Sequence, residues 1–252
     1  MKVFVTNKKK LIIALCLLIT ISAAVIGFIY LENTQTMKNS GGLPIYGVQT
    51  DKKQIAISFD AAWGNEDTED LINILKKYNV KATFFLVGQW VDNYPNSVKA
   101  LAAAGHSVQN HSNTHPHLTE IGIDRAKEEI TACNEKIQKL IGESPTLIRP
   151  PYGDYNKDVV SMIESINMYP IQWSVDSLDW MDISADEIYK NVVPKIKSGS
   201  IVLFHNAAKH TPEALPQLIE ALQAQGYEFV LIKDLIYKDN YRIDANGIQI
   251  LI

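Results

Sequence analysis

Five groups of polar, mostly ionisable side chains each follow a short apolar, strand-like run. Asp60 follows residues 55–59, and His111 and His115 follow 106–109. Arg149 and Tyr152 follow Leu147 and Ile148, Asp176 to Trp180 follow 171–173, and His205 follows 201–204. Parallel strands present functional groups at their carboxyl ends, so these endings are expected to share one mouth. That pattern points to an enzyme.

His111 and His115 are four residues apart. On one face of a helix or in a tight loop, both imidazoles could reach a single metal ion, and zinc takes neutral imidazole well. A hydrolytic zinc site needs a third protein ligand and an open position for water. The alternative is a pair of solvated or capping loop histidines. Asp60 and His205 on opposite sides of a bound water would suit a hydrolysis in which a base activates water and an acid protonates a leaving amine. Taken singly, Asp60 could instead be a turn residue or the N-cap of a helix starting near Asp67, and His205 a core histidine bonded to backbone.

The elements that must position these groups are legible in the periodicity. Leu71, Ile72, Leu75 and Tyr78 share a helical face over 67–78, and residues 82–87 read as a strand. Val98, Leu101 and Ala102 mark a helix stopped at Gly105. Ala126, Ile130, Cys133, Ile137 and Ile141 form a stripe that ends at Gly142. Leu215, Leu218, Ile219 and Leu222 form another ending at Gly226, before a strand over 228–231. Residues 45–48 and 55–59, flanking a polar stretch, are expected to form an opening hairpin. Strand and helix alternate without a GxGxxG or GxxxxGK[ST] loop, which favours an α/β fold of the distorted (β/α) barrel type over a nucleotide-binding open sheet. The barrel is expected over 44–237. Asn246-Gly247 signals a possible hairpin in the tail, 238–252.

The chain has 252 residues and a formal charge of -4, of which the first 31 contribute four lysines and no acid, leaving -8 on the remainder. This balance argues against a nucleic-acid partner, which is bound through clustered Lys and Arg. Residues 11–31 are apolar and uncharged, long enough for a transmembrane helix, and Lys2, Lys8, Lys9 and Lys10 precede them. The positive-inside rule then predicts a single-pass anchor with a cytoplasmic N-terminus and an extracytoplasmic domain, joined by a linker over 32–43. Cys16 lies in the apolar run and Cys133 in a helix outside it, so no intrachain disulfide is expected.

Ser58-Phe59-Asp60, His111 to His115, Arg149 to Tyr152, Asp176 to Trp180 and Leu203-Phe204-His205 together resemble the five ordered motifs of the NodB-type polysaccharide deacetylases, carbohydrate esterase family 4. The resemblance extends over roughly 44–235. Residues 57–64, with Pro44-Ile45-Tyr46, look most like the membrane-anchored, sporulation-associated branch. It implies metal-assisted N-deacetylation of an amino-sugar polymer such as peptidoglycan. Asp60 would be the base, held ionised by Arg149, and His111 and His115 would bind zinc or cobalt. The Tyr152 backbone NH would stabilise the oxyanion, Asp179 would orient His205 as the acid, and Trp180 and Leu203 would line the acetyl pocket.

One position departs from that pattern. The family has a second, metal-binding aspartate after the base, and this chain has Ala61. Asn65, Glu66 or Asp67 could replace the lost oxygen, water could fill its place, or the chain could be an inactive glycan-binding protein of envelope or spore assembly. Among other candidates, Trp63 suits a sugar contact, whereas Trp90 and Trp173 suit the core. His106 and His117 read as packing residues, and His210 as a solvated one.

Overall fold

A computed structural model describes residues 41–252. The apolar run 11–31, and with it the expected anchor, lies outside the described residues. Among those described, no helix is long and apolar enough to cross a membrane.

The chain enters through β1 (Gly47–Val48) and runs through β2 (Gln54–Ala61), α1 (Thr68–Lys77), β3 (Thr83–Leu86), α2 (Gly88–Asn93), α3 (Pro95–Ala103) and β4 (Ser107–Asn110). There follow α4 (Ile123–Ile141), β5 (Leu147–Ile148), α5 (Lys157–Ser165), β6 (Tyr169–Pro170), β7 (Val175–Asp176), α6 (Ala185–Val192) and β8 (Ile201–His205). Last come α7 (Thr211–Ala224), β9 (Glu228–Phe229), α8 (Ile232–Leu235), β10 (Tyr241–Ile243) and β11 (Ile248–Leu251). The expected stripes lie on α1, α3, α4 and α7. α4 ends as its sequence suggests, at Gly142 in the left-handed conformation, which spares a Cβ clash.

The main sheet has the order β6-β5-β4-β3-β2-β8-β7, with β9 added beside the start of β2. Its neighbours pair in parallel. The sheet curls into part of a barrel. Its edge strands β6 and β7 are consecutive in the chain and joined by residues 171–174, whereas a parallel crossover needs about a dozen residues or more. The expected barrel therefore stays open at this seam. Residues 45–47 stitch it: Ile45 N–H donates to the Pro170 carbonyl, the Ile45 carbonyl accepts from Gln172 N–H, and Gly47 bridges to Ser200.

The expected opening hairpin does not form. Both edges of β2 are taken by β3 and β8, so β1 pairs instead with β11, in parallel. β10 and β11 form an antiparallel hairpin around Asn246-Gly247. Here Gly247 has φ 78°, matching a three-residue loop with a left-handed last position. β1 lies so close to the turn before β8 that a Cβ on Gly199 would sit 1.7 Å from the Val48 carbonyl oxygen.

Period-two alternation divides the sheet's two faces. Ile55, Ile57, Phe59 and Ala61 on β2, Phe84 and Leu86 on β3, and Val202 and Phe204 on β8 face outward, under the helices, in one apolar layer. Inside, residues are stacked along the strand direction. Ala56, Ile201, Phe85, Leu147, Ile171 and α8's Ile232 fill the lower part with apolar atoms. Ser58, Asp60, Leu203 and His205 come one and two inward positions later, in register with one another. The polar residues thus gather at the carboxyl end over an apolar floor.

Candidate active site

Asp60 is the penultimate residue of β2 and Arg149 follows β5. Arg149 Nη1 donates to Asp60 Oδ1 at 2.6 Å, while its Nη2 donates to Ser58 Oγ and the Gln172 carbonyl. The guanidinium is fully buried, with its carbon 4.3 Å from the Phe85 ring centre and 5.5 Å from that of Trp173. Burial opposes ionisation of Asp60, but the Arg149 charge, aided by His111 and His205, outweighs it and holds the carboxyl below its ordinary value.

His111 and His115 lie on the loop after β4. Their Nε2 atoms approach to 3.2 Å, and His111 Nε2 is 3.6 Å from Asp60 Oδ2. His111 Nδ1 lies 2.7 Å from the Arg149 carbonyl oxygen. Donation there leaves the Nε2 lone pair free to face the mouth. Burial lowers the pKa of both imidazoles, that of His115 to about 4, so both are neutral at neutral pH, as metal binding requires.

The loop that carries them is held by Ser112 within the motif and by two residues outside it, Asn110 and Glu129. Asn110 Oδ1 accepts from Ser112 N–H, and Ser112 Oγ from His115 N–H. Glu129, buried on α4, accepts from the N–H groups of Asn113 and Thr114 and from the Thr114 hydroxyl. Ser112 and His115 adopt φ of 64° and 62°, a left-handed conformation that costs roughly 1–2 kcal/mol each. These bonds hold it. Glu129 left one sequence signal: a carboxylate at an inward-facing position, between Ala126 and Ile130, of an otherwise apolar stripe.

His205, ending β8, is held twice by Asp179: its Nδ1 lies 2.8 Å from Oδ1, and its backbone N–H donates to Oδ2 at 2.9 Å. Asp179 is buried, its carboxylate also accepts from Thr211 Oγ1, and its backbone N–H donates to Ser177 Oγ. Burial disfavours the imidazolium, yet the Asp179 hydrogen bond and the carboxylates of Asp60, Asp179 and Asp176 outweigh it and raise the His205 pKa above its usual value.

These groups surround a cavity of about 430 Å³ whose walls include Asp60, His111, His115, Tyr152, Leu203 and His205. Arg149 and Asp179 stand behind it as supports. Trp180 and Tyr152 form an exposed rim, and Tyr152 adopts φ 59°. Its ring stacks on His117 at 4.2 Å and meets His115 edge-on at 4.5 Å, so His117 is a packing partner at the lip. Trp90 is buried in the core as expected, but Trp173 lines the cavity as well as packing below it. His106 is buried, with Nδ1 accepting from Ala82 N–H. His210 is not simply solvated; it lies within 3.7 Å of Asp182 and 3.4 Å of Glu213.

The donor set falls short of a metal centre. Ala61 is buried in the outer apolar layer. The expected substitutes are engaged elsewhere: Glu66 accepts from Asn65 N–H, the Asn65 amide donates to Ser97, and Asp67 accepts from Ala207 N–H. Among the described residues, no group of three or more His, Cys, Asp or Glu is placed to hold a metal ion. Two converging imidazoles do not make up the three-ligand site that hydrolytic zinc requires.

Curled sheet, motif order and paired acid-base groups define a hydrolase scaffold of the carbohydrate-deacetylating class. Residues 47–171 match the polysaccharide deacetylase family, and a peptidoglycan-N-acetylglucosamine deacetylase of Bacillus cereus is 34% identical over 195 residues, covering 76% of this chain and 71% of that protein. The chain belongs to the polysaccharide deacetylase family, whose deacetylases generally use a divalent metal. The protein YlxY of Bacillus subtilis is 35% identical over 77% of this chain, and the match spans only 60% of YlxY's own length. Among solved structures, a family pseudoenzyme from Bacillus anthracis gives a TM-score of 0.75 at 35% identity, covering 80% of this chain and 70% of that one. A mutant of that pseudoenzyme with restored enzymatic activity also gives 0.75, at 36% identity over 77% and 71% of the two chains.

Proposed function

We propose that this protein removes N-acetyl groups from an amino-sugar polymer, peptidoglycan, by hydrolysis. The observation that carries the reading is the pair of supported groups facing one cavity: Asp60 held ionised by Arg149, and His205 held by Asp179. Asp60 takes a proton from water as its oxygen attacks the acetamide carbonyl carbon. The Tyr152 backbone NH steadies the resulting oxyanion. His205 then gives its proton to the sugar nitrogen as the C–N bond breaks, leaving acetate and a free amine. Leu203 and Trp180 shape the acetyl pocket.

Ala61 favours a second reading, a glycan-binding protein of the envelope or spore with little turnover, and the pseudoenzyme relative lends it support. In either case the uncharged run 11–31 behind a lysine-rich start supports an extracytoplasmic domain on a single anchor. The sporulation assignment rests on the wording of 57–64.

Acetate release from N-acetylated peptidoglycan and chitooligosaccharides by the full-length protein, with and without added zinc or cobalt, separates the two. Catalysis predicts release that falls at least about 100-fold in Asp60→Asn, as loss of a general base does. Ala61→Asp puts a carboxyl group into the outer apolar layer and should destabilise the metal-free protein by about 2 kcal/mol; a gain in zinc affinity and turnover requires the end of β2 to turn that carboxylate into the mouth. A folded protein that releases no acetate, with or without metal, belongs to the binding class.

A further inference from the structure

We propose that Trp63 is a stacking platform for the sugar residue next to the one being deacetylated, in a side lobe of the site over residues 206–209. The inference rests on the reading of the chain as a deacetylase of an amino-sugar polymer. Trp63 is 67% exposed, yet its backbone is pinned by buried groups. Asn206 Nδ2 donates to the carbonyls of Trp63 at 2.7 Å and Gly64 at 2.8 Å, and the buried Trp90 Nε1 donates to the same Gly64 carbonyl. Asn206 N–H in turn donates to the Asp60 carbonyl, so the platform is tied to the strand end that carries the proposed base.

Gly64 makes this arrangement possible. It adopts φ +53°, and a Cβ there would meet Glu66 Oε2 at 2.4 Å and Ala207 Cβ at 3.0 Å. The left-handed backbone favours glycine here, and the facing loop comes close at Ala207. The indole stands over the mouth, its ring centre 5.4 Å from that of His115. An apolar ring fixed in water by a buried scaffold is prepared to cover something flat and apolar, as the C–H face of a pyranose is.

The cavity supplies the occupant. A second lobe of about 430 Å³ is lined by Trp63, Trp180, His205, Asn206, Ala207 and Lys209 among others, and it shares Trp63, Trp180 and His205 with the first. His205 is the proton donor to the sugar nitrogen, so that nitrogen lies at the wall common to both lobes. The acetyl group then occupies the first lobe, and the polymer continues into the second, where an indole face and the Lys209 ammonium meet a polyhydroxylated ring.

The test is binding of chitooligosaccharides of one to four residues to the full-length protein by titration calorimetry, in an Asp60→Asn background that blocks turnover and is checked for folding by thermal melt. Affinity should rise about tenfold from one residue to three, an increment lost in Trp63→Ala and largely kept in Trp63→Phe. The length profile of kcat/KM in the protein with Asp60 intact should lose its slope in the same way. An increment that survives Trp63→Ala, or an unmodified Trp63 with no length dependence, overturns the proposal. Acetate release without a Trp63-dependent increment removes the platform alone; a Trp63-dependent increment without acetate release leaves the platform and removes the deacetylase reading.

Discussion

Asp179 shows how a buried residue behind the first lobe can set its chemistry. It accepts from the His205 backbone, bonds the His205 ring and accepts from Thr211, so it fixes both the imidazole's orientation and its proton. The sign of the pH effect follows. His205 donates only when protonated, and the Asp179 bond helps raise its pKa, so Asp179→Asn should move the alkaline limb of kcat/KM to lower pH and reduce kcat by about 100-fold. A pH-rate profile checks this. In stability, the protonated pair contributes fully below the ordinary imidazole value, and the contribution disappears as pH rises through the raised one. Asp60, Arg149, Asp179 and His205 were legible in the sequence because each stands at or just after a strand end. Thr211 and Asn206 were not, since their partners are a carboxylate and two carbonyls brought near only by folding.

At the scale of elements, the loop between β4 and α4 shows a division of labour. β4 fixes where the histidines begin, and α4 fixes the loop's shape through Glu129. Replacing Glu129 with alanine leaves two N–H groups and a hydroxyl without their acceptor, in a loop that already holds left-handed residues. We expect Glu129→Ala to cost about 2–3 kcal/mol and to speed amide exchange across 112–115, with Glu129→Gln retaining part of both. Hydrogen exchange by mass spectrometry and a denaturant melt report on it; protection of 112–115 equal to that of the parent would mean the loop is held by other contacts. The four-residue spacing of the histidines suits either a helix face or a tight loop. The structure makes it a loop, because Asn110, Ser112 and Glu129 satisfy its backbone in place of helical bonds.

For the whole molecule, the C-terminal hairpin is part of the fold's closure. β11 pairs with β1, and β1 leads on from the segment that stitches the open seam between β6 and β7. Removing residues 240–252 should lower Tm by about 10 °C, corresponding to roughly 3 kcal/mol for a domain of this size. A melting curve unchanged by the truncation would show that residues 45–48 hold the seam unaided. The tail's hairpin was readable from Asn246-Gly247, but its parallel partner was not, because β1 is short and its ladder spans most of the chain.

The sequence by itself determined which side chains stand at strand ends, where the amphipathic helices run and start or stop, and that the second motif aspartate is replaced by Ala61. Those features are local: alternation, helical stripes and residue identity survive without a partner. Only the tertiary structure decided that the sheet curls and stays open, that β1 joins the tail, that Asn65, Glu66 and Asp67 bond away from the histidines, and that Trp63 stands fixed between two lobes. Each depends on groups far apart in the chain meeting at hydrogen-bond distance, and no local pattern encodes that meeting.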